Sequence, residues 1–226
     1  MKAECFIKRL NATEIGIGVT NDTYIAIPRE VDLSSMLVNQ QAMTIFDRVE
    51  GVLYTPDNSN IKYVQTGQNN QERISGLGQY FRNMDAHVGD EVVIERVVAA
   101  DSTKLYLDFH HRNVVVFQKN RDWVELLTPE LLIPYKQDDD YMITVTSNLN
   151  HVPLHVRYLG KKKKKATSPS ETDAYDLIIG SQSVLPQYDY LDFIEINTED
   201  VSHRMARMKS YIFSILSTDE FDGGEH

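Results

Sequence analysis

Cysteine is almost absent: Cys5 is the single thiol in 226 residues, so no internal disulfide framework is available. It lies in an apolar, alternating stretch and reads as a buried, inert thiol rather than a nucleophile. Long hydrophobic runs are missing as well. No stretch of about 18 apolar residues occurs, which excludes a bilayer-spanning helix and sets the expectation of no membrane role. The opening residues Met1-Lys2-Ala3-Glu4-Cys5-Phe6 lead into Lys8-Arg9 instead of an apolar core with a cleavage site, so a cytoplasmic location is expected rather than export. The glycine pairs Gly16-Ile17-Gly18 and Gly76-Leu77-Gly78 lack the further glycine or lysine of a phosphate cradle, and no nucleotide site follows.

An excess of positive charge is lacking too. With 23 basic and 33 acidic side chains the net charge is −10, which excludes a protein that coats nucleic acid by bulk electrostatics alone. The distribution is uneven. Residues 1–97 carry 9 basic and 13 acidic groups, residues 98–165 carry 11 and 8, and residues 166–226 carry 3 and 12. The tail thus supplies −9 of the −10, leaving room for a local basic face elsewhere.

What is present is a succession of short alternating or β-branched runs: Glu4–Leu10, Tyr24–Pro28, Met43–Tyr54, Asn60–Thr66, Glu91–Ala99, Lys104–Phe109, Asn113–Gln118 and Tyr141–Thr146. Turn residues such as Thr20-Asn21-Asp22 and Val88-Gly89-Asp90 separate them, and such close spacing predicts antiparallel pairing. Short helices are predicted at Arg29–Leu37 and Gly78–Met84. The fold class is therefore mainly β, a barrel or pseudobarrel with small helices. Lys161–Lys165, followed by Ala166-Thr167-Ser168-Pro169-Ser170, has linker composition because five adjacent ammonium groups repel. A boundary placed there divides the chain into residues 1–160, a linker over 161–170, and a small α+β extension over 171–226. In that extension Tyr175–Ile179 and Tyr188–Ile196 read as strands. Glu199–Leu216 reads as a helix, with Val201, Met205, Met208, Ile212 and Ile215 at helical spacing.

Metal and nuclease constellations are sparse. His110 and His111 point to opposite faces of a strand, His151 and His155 lack a third ligand, and Asp138-Asp139-Asp140 reads as a solvated turn, so no metal ligands are assigned. Magnesium-dependent cleavage needs clustered carboxylates with a lysine nearby. Asp176 with Glu195 is the nearest candidate, but Asn197 stands where the common Glu-x-Lys pattern has lysine. No catalytic residue is assigned on this basis.

Two stretches resemble a known family. Phe6-Ile7-Lys8-Arg9-Leu10-Asn11-Ala12-Thr13-Glu14-Ile15-Gly16, returning in Tyr24-Ile25-Ala26-Ile27-Pro28, is similar to the start of EcoRII-type restriction endonucleases. Ile61-Lys62-Tyr63 followed by Asn70-Gln71-Glu72-Arg73-Ile74-Ser75-Gly76-Leu77-Gly78 resembles that family's tyrosine-bearing strand and recognition loop, in the same order. The segment from Gly78-Gln79-Tyr80-Phe81-Arg82 to His87-Val88-Gly89-Asp90-Glu91-Val92 resembles the wider pseudobarrel class shared with B-three plant transcription factors. The resemblance covers roughly residues 4–120.

It implies a seven-stranded open pseudobarrel whose two loop arms grip the major groove of double-stranded DNA. Base reading needs Arg or Lys for guanine, Asn or Gln for adenine and acidic groups for cytosine. The first arm offers Arg9, Asn11, Thr13, Glu14, Thr20 and Asn21, and the second Gln68, Asn69, Asn70, Gln71, Glu72 and Arg73. Lys8, Lys62, Arg82, Lys104 and Arg112 are candidates for phosphate contacts, which position without specifying. The second arm is richer in amides and poorer in lysine and arginine than the family's, which points to lower affinity or a different target. The expected function is sequence-specific recognition for a restriction endonuclease, needing no cofactor, with Mg2+ serving only an attached nuclease domain in the same or a partner chain. A catalytic nuclease subunit and a β-barrel protein-interaction module are the alternatives.

Overall fold

In a strand the side chains alternate between faces, and Lys2–Arg9 (β1) uses this to bury Glu4, Phe6 and Lys8 while Ala3, Cys5 and Ile7 stay partly exposed. Cys5 is thus half-buried rather than a core residue. Burial, with Glu95 nearby, still pushes its thiol pKa up, which keeps it protonated. The computed structural model describes residues 2–17, 23–31, 33, 45–48, 53–54, 61–65, 72–147, 150–165, 167–198 and 203–217. Among these the chain is mainly β, with few helices and open sheets. It divides into two units, Met1–His111 with Ser210–His226, and Arg112–Lys209.

The first unit continues with Tyr24–Ile27 (β2), Ile45–Asp47 (β3), Leu53–Tyr54 (β4), Lys62–Gln65 (β5), Glu72–Ser75 (β6), the helix Gly78–Asn83 (α1), Glu91–Val98 (β7) and Thr103–His110 (β8). Strands β2, β6 and β5 form a three-stranded sheet in the order β2-β6-β5. Phe6, Ile25, Ile74, Tyr80, Ile94 and Leu107 come from both of this unit's sheets and from α1, and they share one core. The helix is where the sequence places it. Gly78 opens it, and a Cβ there would lie 2.4 Å from Thr23 Oγ1, so a larger residue would require that side chain to shift. Of the helix expected over Arg29–Leu37, Arg29 and Glu30 form a turn and most of the remainder lies outside the described residues.

The second unit holds Val114–Lys119 (β9), Val124–Leu126 (β10), Lys136–Gln137 (β11), Asp140–Ser147 (β12), Asn150–Lys162 (β13), Thr172–Ile179 (β14), Gln182–Ser183 (β15), Phe193–Asn197 (β16) and Met205–Arg207 (β17). They run β11-β12-β13-β14-β10-β9-β16-β17, with β15 on β14, over a core that includes Phe117, Leu132, Leu154, Leu177 and Ile194. The lysine run does not separate domains here. Lys161 and Lys162 end β13 opposite Asp173 and Thr172. Lys162 pairs with Asp122 at 3.5 Å and Lys164 with Glu125 at 2.5 Å. Opposite charges thus compensate the repulsion that suggested an isolated linker. The unit boundaries accordingly fall at 111/112 and 209/210 instead of within 161–170.

The last strand, Tyr211–Ser217 (β18), returns to the first unit and completes a six-stranded sheet, β18-β1-β7-β8-β3-β4. Its pairing with β1 runs from Lys2↔Ser217 to Lys8↔Tyr211. Of the helix expected over Glu199–Leu216, residues 199–202 lie outside the described residues, and β17 and β18 take the place of the rest. A helical spacing of apolar residues competes there with the aromatic and β-branched run Tyr211-Ile212-Phe213, and an open strand edge decides for the extended form.

Candidate nucleic-acid interface

The first arm leaves β1 through a side-chain-built turn. Asn11 Oδ1 accepts the backbone N–H groups of Thr13 at 3.0 Å and Glu14 at 3.1 Å, the Asx arrangement by which asparagine imitates a backbone turn. Glu14 then points inward. Its Oε2 accepts from Lys8 Nζ at 2.8 Å and from the Asn11 N–H at 3.0 Å, and its Oε1 accepts from the Ala26 N–H at 3.1 Å. Lys8 and Glu14 side chains are 4% and 1% exposed. In the order β2-β6-β5 strand β2 lies at the sheet's edge, so the carboxylate satisfies an outward amide of an edge strand and locks the arm's root to it. A cleft of about 500 Å3, lined in part by Asn11, Ala26, Pro28 and Arg29, opens beside this lock.

These placements sort the residues expected from sequence. Lys8 and Glu14 are a buried ion pair, so neither is available to phosphate or base without breaking the fold. Arg9 Nε donates to Glu91 Oε1 at 2.9 Å, which holds it on the neighbouring strand. Thr13 is exposed at the turn, and Asn11 is partly so. Thr20, Asn21, Gln68, Asn69, Asn70 and Gln71 lie outside the described residues. Glu72 and Arg73 begin β6, opposite Ile27 and Ala26 of β2 and Gln65 and Val64 of β5. The Arg73 guanidinium lies over the Tyr24 ring, 4.1 Å from its centroid, a cation–π contact that orients the fork. Lys62 starts β5.

The sheet registers bring the two resembling stretches together. Strand β2 belongs to the first and β6 to the second, and they pair from Tyr24↔Ser75 to Ile27↔Glu72. Residues 66–71 connect β5 to β6 at the Gln65↔Glu72 end, whereas the first arm enters β2 at the Tyr24↔Ser75 end. The two arm roots therefore occupy opposite ends of one short sheet.

Asp176 and Glu195 are not brought together. They lie on β14 and β16, three strand steps apart in the order β14-β10-β9-β16, or roughly 14 Å at the usual strand spacing. Each is engaged separately: Asp176 accepts from Arg157 Nη2 at 3.2 Å and from Ser183 Oγ at 2.6 Å, and Glu195 from Arg112 Nη1 at 3.0 Å. That ion pair also occupies Arg112, a phosphate candidate. One cluster that sequence reading did not assemble is His87, Asp90 and His111. Its signal lay in hairpin register, since Glu91 of β7 faces His110 of β8 and thus places Asp90 beside His111.

The chain matches no family model, and no curated protein matches it.

Proposed function

We propose that the first unit is a sequence-specific reader of double-stranded DNA, with a seven-stranded pseudobarrel of the EcoRII type as its framework, acting within a restriction system. The observation that carries this reading is the placement of the two arm roots at opposite ends of the β2-β6-β5 sheet. Four residues of strand span about 10–13 Å, comparable with the roughly 12 Å width of the major groove. The attachment points of the two loops on β2 and on β5 and β6 are thus separated by about a groove width. Asn11 stands where the first arm leaves β1, tied through Glu14 to Ala26, and Arg73 lies opposite Ala26 on β6. Because Asn11 Oδ1 is engaged in the turn, its contact with a base edge runs through Nδ2, while Arg73 offers a fork suited to guanine.

The test is a mobility-shift competition with randomised duplexes, using the full chain without Mg2+. Selective binding is expected. Asn11→Asp keeps the turn acceptor but removes the amino donor, and Arg73→Lys keeps the charge but removes the fork. Each is expected to cost about 1–3 kcal/mol on the preferred site and to relax selectivity at one base pair. Lys62→Ala is expected to weaken all sequences alike and lower the salt slope by roughly one. Unselective binding by the unmodified chain, or undiminished selectivity in both arm variants, rejects the reading.

Cleavage is assigned to a nuclease domain in the same or a partner chain, where Mg2+ acts. Adding Mg2+ to the purified chain with its preferred duplex is expected to leave the duplex intact. Nicking that disappears in Asp176→Ala or Glu195→Ala would reverse this assignment.

A further inference from the structure

We infer that His87, Asp90 and His111 form a binding site for one divalent transition-metal ion of the zinc class, seated at the root of the first arm. The inference stands on this cluster alone and is independent of the DNA reading.

Hairpin register creates the site. Strand β7 begins at Glu91 and β8 ends at His110, and these two residues face each other, so Asp90 and His111 are the next residues out on the two strands. The preceding turn swings His87 onto the same spot. Gly89 adopts φ +94°, and the His87 N–H donates to Asp90 Oδ2 at 2.8 Å. That oxygen is the point of convergence. His111 Nδ1 lies 3.1 Å from it and His87 Nδ1 3.9 Å from it, and the three ligand atoms all lie within 4.8 Å of one another. Around a tetrahedral zinc ion with bonds of about 2.0–2.1 Å, ligand atoms are about 3.3–3.4 Å apart. The two measured edges bracket that value, so small rotations of the imidazole rings would admit the ion.

The surroundings fix the ligands as metal sites require. Asp90 is 2% exposed. Its backbone carbonyl accepts from the Leu10 N–H at 2.8 Å, and the Gly89 N–H donates to the Leu10 carbonyl at 2.8 Å. The His111 ring meets the edge of Phe109 at 5.1 Å between centroids, and Phe109 in turn meets Tyr80 at 6.1 Å. A rigid, buried carboxylate is thus presented between two histidines whose side chains are 54% and 59% exposed, which leaves an approach for the ion. Two imidazoles with one carboxylate select Zn2+, Co2+ or Ni2+ over Mg2+ and Ca2+, which prefer all-oxygen shells. Three protein ligands leave a fourth position for water or for an anionic group of a partner. Because Leu10 closes β1 where the first arm departs, a bound ion ties the arm's root to the β7–β8 hairpin.

The full chain is titrated with Co2+, following its visible ligand-field absorption, and with Zn2+ by calorimetry and thermal unfolding. One ion per chain is expected, with a tetrahedral or five-coordinate Co2+ spectrum and a raised unfolding temperature in Zn2+. His87→Ala and His111→Ala alter exposed side chains and leave the fold intact by circular dichroism. Each is expected to weaken binding roughly 100-fold and to abolish the thermal shift. No binding by the unmodified chain, unchanged affinity and spectrum in His87→Ala and His111→Ala, or an equal shift with Mg2+ would each overturn the inference.

Discussion

Removing residues 210–226 is expected to unfold the first unit while the second stays folded. Strand β18 supplies a complete antiparallel partner for β1, from Lys2 to Lys8, and Tyr211 and Phe213 pack against the core that includes Phe6 and Ile94. Burying an aromatic side chain is worth up to about 1.5–3 kcal/mol, and whole domains are stable by only about 5–15 kcal/mol. Loss of two aromatics together with one side of a central ladder takes a large share of that margin. The measurement has an internal control, because Trp123 is the chain's sole tryptophan and is buried in the second unit. Its fluorescence transition in urea should be retained in the truncated chain, while the far-ultraviolet β signal falls and its transition becomes broad. A far-ultraviolet signal and unfolding curve unchanged from those of the full chain would mean that β18 is dispensable.

The second large effect is expected at the base of the first arm. Glu14→Ala strands the Lys8 ammonium in the interior and leaves the amides of Asn11 and Ala26 without their acceptor. Breaking a buried ion pair from one side costs about 3–5 kcal/mol, and the same range is expected for Lys8→Met. Combining Lys8→Met with Glu14→Gln removes both charges and keeps an acceptor oxygen for one of the two amides. Measured against the Lys8→Met and Glu14→Gln single variants, the double variant should therefore be more stable than the sum of the single losses, by about 1–3 kcal/mol. Urea denaturation of Glu14→Ala, Lys8→Met, Glu14→Gln and the double variant measures this. Strict additivity, or single losses below about 1 kcal/mol, would show that the pair does not hold the arm.

Local patterns were legible where one face of a strand decides the outcome. The β-branched and apolar runs at Glu91–Ala99 and Lys104–Phe109 located β7 and β8 to within one residue at each end, and Gly78 marked the start of α1. Legibility failed where a distant partner decides. Tyr211–Ser217 carries both helical and extended signals, and only the free edge of β1 resolves them. Lys161–Lys165 reads as a solvated linker until Asp122, Glu125 and Asp173 are placed beside it. Within the candidate interface, the polar character of Asn11, Thr13 and Arg73 was visible, but the inward turn of Glu14 onto Lys8 was not. A glutamate in a polar loop is ordinarily solvated, and its burial here depends on an amide contributed by Ala26.

The pairing of Lys2 with Ser217 joins residues 215 positions apart, and this separation orders events during synthesis. The second unit lies wholly within Arg112–Lys209, so its contacts are complete before β18 leaves the ribosome. Strand β1 precedes the second unit yet must wait with one edge open, since this pairing cannot be completed until residue 217 has emerged. During that interval β1 presents an unpaired backbone edge beside the aromatic side chain of Phe6, a surface prone to pairing with another nascent chain. Efficient recovery of the protein should accordingly improve at low expression rates or in excess holdase chaperone, because the segment that pairs with β1 is made only after the whole second unit.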